Sequence, residues 1–396
     1  MFGPDFRLPE RGLLLHVGPH KTGTTAIQGA LHNARSELAE YGVVYAGRRR
    51  QSQMAALAVT QGHGLAGDRP AQLRDWERLV EQAEATADQR FVISSEYFDG
   101  ASDEVAAKVV NELGGERVHV VVTLRPLALI VPSAWQQYVR NRFRAPYRRW
   151  LKAMLEPGST SRATPSFWYR HHHDAQVERW ASIVGPERLV VVVADESDRE
   201  SLLRTFERFV GVPEGLLRAE VGHTNRSLTA PEIELIRAIN VEFHQRELPP
   251  RLYYELVYDG IARQMQLRTP DPGEPRITLP GWGVERANEV AAAAAERIAA
   301  SGVGVIGDLA SLSAVKPLPD DQQTDMAEVE LSVAGAAQAL LGAILASERL
   351  LAGQHGPEAQ ATPVKPSDLT TRRLLGELVR RRRRVAKRLR RAVGRA

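Results

Sequence analysis

The sequence predicts an α/β fold, a P-loop-type central parallel sheet flanked by helices, with a helical C-terminal extension. Three observations predict it. Short runs rich in Val, Leu and Ile recur through the first half of the chain, helical patterns separate them, and the first run leads into a glycine-containing turn. Runs that are apolar on both faces are typical of parallel strands covered by helices on both sides.

The predicted elements follow one another in a regular order. The run "GLLLHVG" (12–18) predicts a strand, and a helical pattern follows from Thr24 to about Glu40. Further strands are predicted at "YGVVYAG", "RFVISSEYF", "RVHVVVTLRP" and "RLVVVVADE". Helices are predicted at "PAQLRDWERLVEQAEATAD" and at "SDEVAAKVVNELGG", which has an N-cap serine and a terminal glycine pair. After Asn225 the pattern is helical.

These patterns divide the chain into five parts. We expect an α/β domain at 1–250, a helical completion of that domain at 251–316, a linker and helix at 317–352, a Pro/Gly/polar linker at 353–370 and a basic tail at 371–396. The weakly polar run Leu331–Ala346 is shorter than the roughly 20 residues that a bilayer-spanning helix needs. A packed helix is therefore expected there.

The composition is that of an ordinary soluble protein, with 43% hydrophobic and 25% charged residues. The chain has no cysteine, which excludes disulfides, thiolate zinc sites and a cysteine nucleophile. The N-terminal residues lack the basic and apolar regions of a signal peptide. A cytoplasmic location is expected.

The positive charge is concentrated at the C-terminal end. Residues 371–396 contain twelve Lys/Arg and one acid, a net charge of +11, so the other 370 residues carry 4 − 11 = −7. Leu374, Leu378, Val385, Leu389 and Val393 fall near one helical stripe. A basic amphipathic helix suits an anionic membrane surface such as the inner face of a membrane, or another polyanion. No aromatic residue stands there to stack on bases, so no specific nucleic acid is expected.

The first chemical signal is the loop "HVGPHKTGTTAIQ" (16–28). Four residues separate Gly18 from Gly23, as in the nucleotide-hydrolysing motif G-x-x-x-x-G-K-[ST], but that motif needs lysine at position 24. Here position 24 is threonine and the lysine is Lys21. A strand-to-helix turn presents backbone N–H groups and a helix dipole to an anion. The further donors of the loop are Thr22, Thr24 and Thr25.

A second anion site is predicted at "TLRPLALIVPSAWQQY". Arg125 ends an apolar strand, and Ser133 lies eight residues further on, where we expect the first turn of the next helix. Ligands of open α/β sheets bind at the carboxyl ends of the strands, and a guanidinium there with a hydroxyl near a helix N-terminus suits an anion. Two anion sites in one sheet suggest a nucleotide phosphorylated at both ends.

Together these two segments resemble the sulfotransferase family that uses 3′-phosphoadenosine 5′-phosphosulfate (PAPS). In that family a K-x-G-[TS]-[TS] loop binds the 5′-phosphosulfate, and an arginine and a serine eight residues apart bind the 3′-phosphate. The resemblance covers roughly residues 10 to 240, including "NRSLT" (225–229), which is similar to a late segment of bacterial members. It implies donor binding by these residues: Lys21, Thr22, Gly23, Thr24, Thr25, Arg125 and Ser133.

The catalytic base is predicted in "ISSEYFDG". Glu96 leaves the end of a strand on the sheet edge that holds both anion sites, and a carboxylate there can take the proton of an acceptor hydroxyl. Carbohydrate sulfotransferases resemble this arrangement. Holding a loop N–H or an arginine is the alternative role for Glu96. The cytosolic small-molecule branch uses histidine instead, but His119 lies within a strand, where burial is expected.

Two further segments carry weaker signals. In "YRHHHDAQ" (169–176) adjacent histidines point in different directions, so a surface or acceptor-facing loop is expected rather than a metal site. "FRAPYRRW" combines arginines with Tyr147 and Trp150. That mixture suits either an anionic or saccharide acceptor or a solvated basic face.

The combined prediction is a PAPS-dependent sulfotransferase that needs no metal. Glu96 takes the acceptor proton, and Lys21 together with His20 neutralises the charge on the transferred group. The acceptor is a hydroxyl or amine, expected on a saccharide, glycolipid or polysaccharide. Two alternatives stay open, a P-loop kinase or NTPase and a non-catalytic sulfotransferase-like binding or assembly protein.

Overall fold

The structure is a computed structural model that describes residues 6–60, 70–156, 164–198, 200–219 and 226–351. The predicted linker at 353–370, the basic tail at 371–396 and Asn225 of the "NRSLT" segment lie outside the described residues.

A six-stranded, fully parallel sheet forms the centre of the fold. Its strands are β1 (Leu13–His16), β2 (Val43–Tyr45), β3 (Arg90–Ser94), β4 (Val118–Leu124), β5 (Leu189–Val193) and β6 (Gly304–Ile306). They lie in the order β2-β3-β1-β4-β5-β6, so β1 lies between β3 and β4. The chain first builds the β3–β2 side of β1 and later the β4–β5–β6 side, and open α/β sheets bind ligands at the carboxyl ends of the strands where the order reverses in this way. We refer to the carboxyl ends of β1, β3 and β4 as the cleft.

Helices cover both faces of the sheet. The first group is α1 (Thr24–Asn33), α2 (Arg35–Glu40), α3 (Gln53–Val59), α4 (Leu73–Ala85), α5 (Asp103–Glu112), α6 (Leu127–Arg140), α7 (Tyr147–Leu155), α8 (Pro165–His171), α9 (His173–Val184) and α10 (Ser201–Val210). The second group is α11 (Ala230–Gln245), α12 (Pro250–Tyr253), a π-helix (Tyr254–Ala262), α13 (Arg263–Leu267), α14 (Gly281–Ala300) and α15 (Val333–Leu351). Short 3₁₀ turns lie at Glu96–Gly100, Gly115–Arg117, Pro186–Arg188, Leu309–Ser313 and Asp320–Gln322.

The core is split by the sheet into two apolar layers. Leu13 and Leu15 of β1 pack into one layer, and Leu14 between them packs into the other. This alternation follows from the two-residue period of a strand, and it explains why the strand sequences are apolar throughout. The predicted α/β class with a parallel central sheet is confirmed.

One strand of the sheet is not apparent from the sequence. β6 extends the sheet beyond β5, pairing Val191 with Val305, although residues 251–316 read as helical. Its three residues are too short for a periodic pattern, and only one of them is fully buried. The segment after residue 250 therefore contributes to the sheet as well as to its helical cover.

Candidate active site

The loop between β1 and α1 has an unusual backbone that is well suited to an anion. Gly18, Lys21 and Gly23 have φ of 88°, 71° and 96°. Positive φ values of this kind favour glycine at residues 18 and 23 and are uncommon for a lysine. Within the described part of the chain, the backbone N–H groups of residues 21–25 have no acceptor. Because the first N–H groups of a helix lack intrahelical acceptors, they form a ready cradle for an anion.

A buried chain of hydrogen bonds holds this loop against the sheet. The Thr22 hydroxyl donates to Pro19 O at 2.7 Å and lies 2.7 Å from Thr123 Oγ1. Thr123 Oγ1 lies 3.1 Å from His16 Nε2, and His16 Nδ1 lies 2.8 Å from Ser94 Oγ. Burial lowers the pKa of His16 to about 3, so the ring stays neutral and links β1, β3 and β4. The Thr22 side chain therefore supports the loop, and only its backbone is available to a ligand.

Lys21 supplies the positive charge of the loop, and its surroundings disfavour the charged form of its side chain. Burial, and then the positive charge of Arg140, lower the pKa of Lys21 to about 8. Glu96 raises this pKa and Arg125 lowers it further, so residues from the ends of β3 and β4 and from the end of α6 act on one ammonium. The cations around Lys21 outnumber the carboxylate, and a bound anion would relieve their mutual repulsion.

Glu96 directly adjoins the loop. It begins the 3₁₀ turn after β3, and a Cβ atom at Gly18 would lie 3.0 Å from Glu96 Cα, so glycine favours this close approach as well as the positive φ. The side chain of Gln28, buried in α1, donates from Nε2 to Glu96 Oε2 at 2.8 Å. The carboxylate is half-buried and fixed on one oxygen, which leaves the other oxygen to accept a proton.

His20 is oriented by a carboxylate that the sequence patterns did not single out. Asp99, fully buried in the same 3₁₀ turn, accepts from the backbone N–H of His20 at 3.2 Å and lies 2.5 Å from its Nδ1. Arg170 Nε of α8 lies 3.3 Å from the other Asp99 oxygen. The ring also meets Tyr97 edge-on at 5.2 Å. With Nδ1 engaged, Nε2 is the ring nitrogen left for a ligand.

The second predicted anion site differs from the loop because its arginine is already paired with a carboxylate of the protein. Arg125 follows β4 and forms a bidentate ion pair with Glu196, which follows β5, with Nε–Oε1 2.5 Å and Nη2–Oε2 2.7 Å. Both side chains are partly exposed. Ser133 lies in the second turn of α6, not in its first turn as expected, because the helix already begins at Leu127. Its hydroxyl makes no hydrogen bond within the described ranges.

The "NRSLT" segment braces the fold beside this second site. Arg226 forms a bidentate ion pair with the buried Glu232, at 2.7 and 2.8 Å. Thr229 and Glu232 form the capping box that starts α11, and Leu228 N–H donates to Gln136 of α6 at 3.1 Å. The described part of this segment therefore anchors the helix that carries Ser133.

The three histidines form no loop, contrary to expectation. His171 ends α8, His172 joins the helices and His173 begins α9. His171 and His173 are buried, and burial holds the pKa of His171 well below its usual range, with His20 and Lys21 close enough to lower it further. Local helix propensity and the apolar surroundings of Phe167 explain the difference. Among the described residues no group of three His, Asp or Glu is arranged to hold a metal ion.

Two other sequence candidates lie away from the cleft. Tyr147 and Trp150 of α7 are core residues, so neither faces an acceptor, and the exposed Arg148 and Arg149 form a solvated face. His119 is the second residue of β4, at the end of the strand opposite to Arg125, and its Nδ1 lies 3.0 Å from Arg117 O. This position is incompatible with a role as base at the loop.

Comparison with known proteins adds little. No family model and no curated protein matches the chain. Among solved structures the chain is similar to a sulfotransferase from Alicyclobacillus acidocaldarius, with 18% identity and a TM-score of 0.37, over 61% of this chain and 96% of that one. Because this likeness is low in both identity and superposition, we base the functional assignment on the geometry of the cleft.

The structure gathers most of the predicted residues and adds several more. Lys21, Glu96 and Arg125 come together at the carboxyl ends of β1, β3 and β4. The cleft residues that sequence reasoning missed are Gln28, Asp99, Arg140, Arg170 and Glu196. Asp99 stands three residues after Glu96, and Gln28 ends the loop segment 16–28, so both lie close in sequence to predicted site residues. Arg140, Arg170 and Glu196 come from segments that carried no such signal.

Proposed function

We propose that this protein is a sulfotransferase that moves a sulfuryl group from PAPS to a hydroxyl or amine acceptor. The observation that carries the proposal is the position of Glu96 beside the anion cradle, because its backbone packs against Gly18 and its charge acts on Lys21. A cradle alone suits any phosphate. A carboxylate held beside it by Gln28 adds the base that an acceptor needs.

The residues of the loop would hold the phosphosulfate end of the donor. The backbone N–H groups of residues 21–25 would bind its oxygens, and Lys21 would supply positive charge where negative charge develops. The surroundings of Lys21 destabilise its charged form, and a bound anion would stabilise that form. This favours binding of an anion. His20, oriented by Asp99, would offer Nε2 to the same group.

The other end of the donor is assigned to Arg125 and Ser133. A 3′-phosphate would replace Glu196 as the partner of the Arg125 guanidinium, which suits a phosphate in bidentate geometry. Holding both ends would align the donor for in-line displacement.

The reaction balances without a further reactant. The acceptor oxygen forms a bond to sulfur, the bond from sulfur to the 5′-phosphate oxygen breaks, and adenosine 3′,5′-bisphosphate leaves. The acceptor proton passes to Glu96. We propose a saccharide, glycolipid or polysaccharide as acceptor, by the resemblance of the Glu96 arrangement to carbohydrate sulfotransferases.

Transfer of label from PAPS to acceptors in extracts of the source cell, with and without a chelator, tests the proposal. We expect donor-dependent labelling that survives chelation. Labelling that requires ATP and Mg²⁺ instead would overturn the proposal in favour of a kinase or NTPase. Bisphosphate binding without any transfer would favour the non-catalytic alternative.

Glu96→Gln tests the base. We expect turnover to fall by about 10²-fold or more, the usual loss for a general base, while calorimetry shows near-normal affinity for adenosine 3′,5′-bisphosphate. The exposed Glu178→Gln is the matched control and should leave turnover unchanged. Undiminished turnover in Glu96→Gln would remove Glu96 from the mechanism.

A further inference from the structure

α15 is an apolar helix of which the described residues cover only one face. Its covered face packs on the π-helix so closely that a Cβ atom at Gly342 would lie 2.5 Å from Gly260 O. Gln264 Nε2 donates to Gln338 Oε1 at 3.1 Å across the same contact. The buried positions of α15 are Gly335, Gln338, Ala339, Gly342 and Ala346. Their spacing of three and four residues defines one helix face.

The opposite side of α15 presents a line of exposed apolar side chains. Val333, Leu340 and Leu351 are 88%, 65% and 73% exposed. Residues 333 and 351 are five turns apart and residue 340 falls within about 20° of the same direction, so the three lie on one line about 27 Å long. Single exposed apolar residues are ordinary, whereas three in one line on one helix indicate a surface with a partner.

By length and composition α15 could cross a bilayer, and it is the one helix of which this is true in the described ranges. However, its covered face is bound to protein along its length, through the Gln338–Gln264 pair and from Arg349 Nη2 to Asp259 O at 3.3 Å. A helix fixed along the side of a domain cannot be surrounded by lipid. If α15 lies parallel to a lipid surface, one face can stay packed on the protein while the opposite, apolar face contacts the lipid.

The sequence that follows α15 identifies the chemistry of the surface. Residues 371–396 carry a net charge of +11, and residues 352–370 between them and α15 span at most about 65 Å. Both elements can therefore reach one surface. An apolar line beside a strongly basic segment matches the hydrocarbon boundary and the negative headgroups of an anionic membrane.

A second copy of the chain fits this line less well. The three exposed side chains offer roughly 400 Å² of surface, whereas a stable interface buries about 800 Å² on each partner. Shallow insertion into a lipid surface has no such minimum, because the basic segment supplies the second attachment.

We propose that the apolar line of α15 and the basic segment 371–396 together attach this protein to an anionic lipid surface. The line lies in the headgroup boundary, and the basic segment neutralises the headgroups. Attachment is independent of the reaction proposed above, so it can be tested without donor or acceptor.

The absence of cysteine allows a single label to report on α15. Leu340→Cys in the full chain is coupled to a polarity-sensitive fluorophore and mixed with phosphatidylcholine vesicles containing about 30% phosphatidylglycerol, or none. We expect a blue shift and co-sedimentation with the anionic vesicles alone, weakened by high salt. Leu73→Cys, a label on the exposed Leu73 of α4, is the matched control and should show no shift.

A second variant separates the contribution of the basic segment 371–396 from that of α15. Replacing Arg380, Arg381, Arg382, Arg383 and Arg384 by glutamine should weaken vesicle binding by at least about 100-fold, because each basic residue near the surface contributes. Binding with an unshifted label at position 340 would overturn the role of α15. A label shift that depends on protein concentration without vesicles would favour a second copy, and absence of any binding would overturn the whole proposal.

Discussion

The two predicted anion sites of the cleft differ in how far they are prepared for a ligand. The loop of residues 18–25 is held by buried hydrogen bonds to the sheet, and its N–H groups at residues 21–25 have no acceptor among the described residues. Arg125 is a long, partly exposed side chain that is already paired with Glu196. The loop can therefore bind an anion without rearrangement, whereas the Arg125 site must first exchange one partner for another. Preorganised groups contribute more to binding and catalysis than groups that must be released.

The largest effect on turnover is expected at the loop of residues 18–25, which is already arranged to bind an anion. Lys21→Ala should lower turnover with PAPS by about 10³-fold, because it removes the half-buried ammonium of the cradle. Its melting temperature should stay equal or rise, since burial of the charged ammonium opposes folding. Initial rates and thermal melts measure both effects.

The exposed Lys152→Ala of α7 is the matched control for Lys21, and it should leave turnover and the melting temperature unchanged. A loss of less than tenfold in Lys21→Ala would mean that the backbone cradle, and not the lysine, dominates the loop.

Substitutions of His20 and Asp99, singly and together, test whether these two residues act on the reaction through one another. His20→Gln and Asp99→Ala should each lower turnover by about 10²-fold, and the double variant should lose no more than His20→Gln alone, because effects of groups acting through one another do not add. Nitrogen NMR of the imidazole should show the Nδ1–H tautomer of His20 in the wild type and its loss in Asp99→Ala. Additive losses, or an unchanged tautomer, would limit Asp99 to a structural role.

Smaller effects on ligand affinity are expected at the Arg125 site, and substitutions of Arg125 and Glu196 should change the affinity in opposite directions. Arg125→Ala should weaken adenosine 3′,5′-bisphosphate binding by about 30-fold, as expected for a charge-assisted bidentate contact. Glu196→Gln should strengthen binding a few-fold, because it releases the guanidinium in advance. Calorimetry measures both affinities, with Arg148→Ala as an exposed control. Weaker binding in Glu196→Gln would show that the ion pair supports the site.

The smallest effect is the pH dependence of donor binding. The free protein has Lys21 with a pKa of about 8, so the ammonium that attracts the anion is lost as pH rises through 8. The association constant for the bisphosphate should fall about tenfold between pH 7 and pH 9, a range in which its phosphates stay fully ionised. Lys21→Arg should be flat over this range, because its guanidinium stays charged. An equal fall in Lys21→Arg would assign the titration to another group.

The sequence predicted most of the framework because local patterns specify it. Apolar runs and capped helices located β1 to β5 and most of the helices around them, and glycines with a lysine located the anion loop. β6 was missed because three residues carry no period. The histidine run was assigned to a loop because burial depends on neighbours from other segments, such as Phe167 and His20.

The sequence by itself determined the α/β class, the anion loop and the basic C-terminal segment, since each depends on residues that are adjacent in the chain. Only the tertiary structure decided which groups surround Lys21, that Asp99 holds His20, that Glu196 pairs with Arg125, and that the described residues leave one apolar face of α15 uncovered. The physical reason is the range of the interactions. Backbone conformation and periodicity are local, whereas hydrogen bonds and ion pairs join residues as far as 204 positions apart.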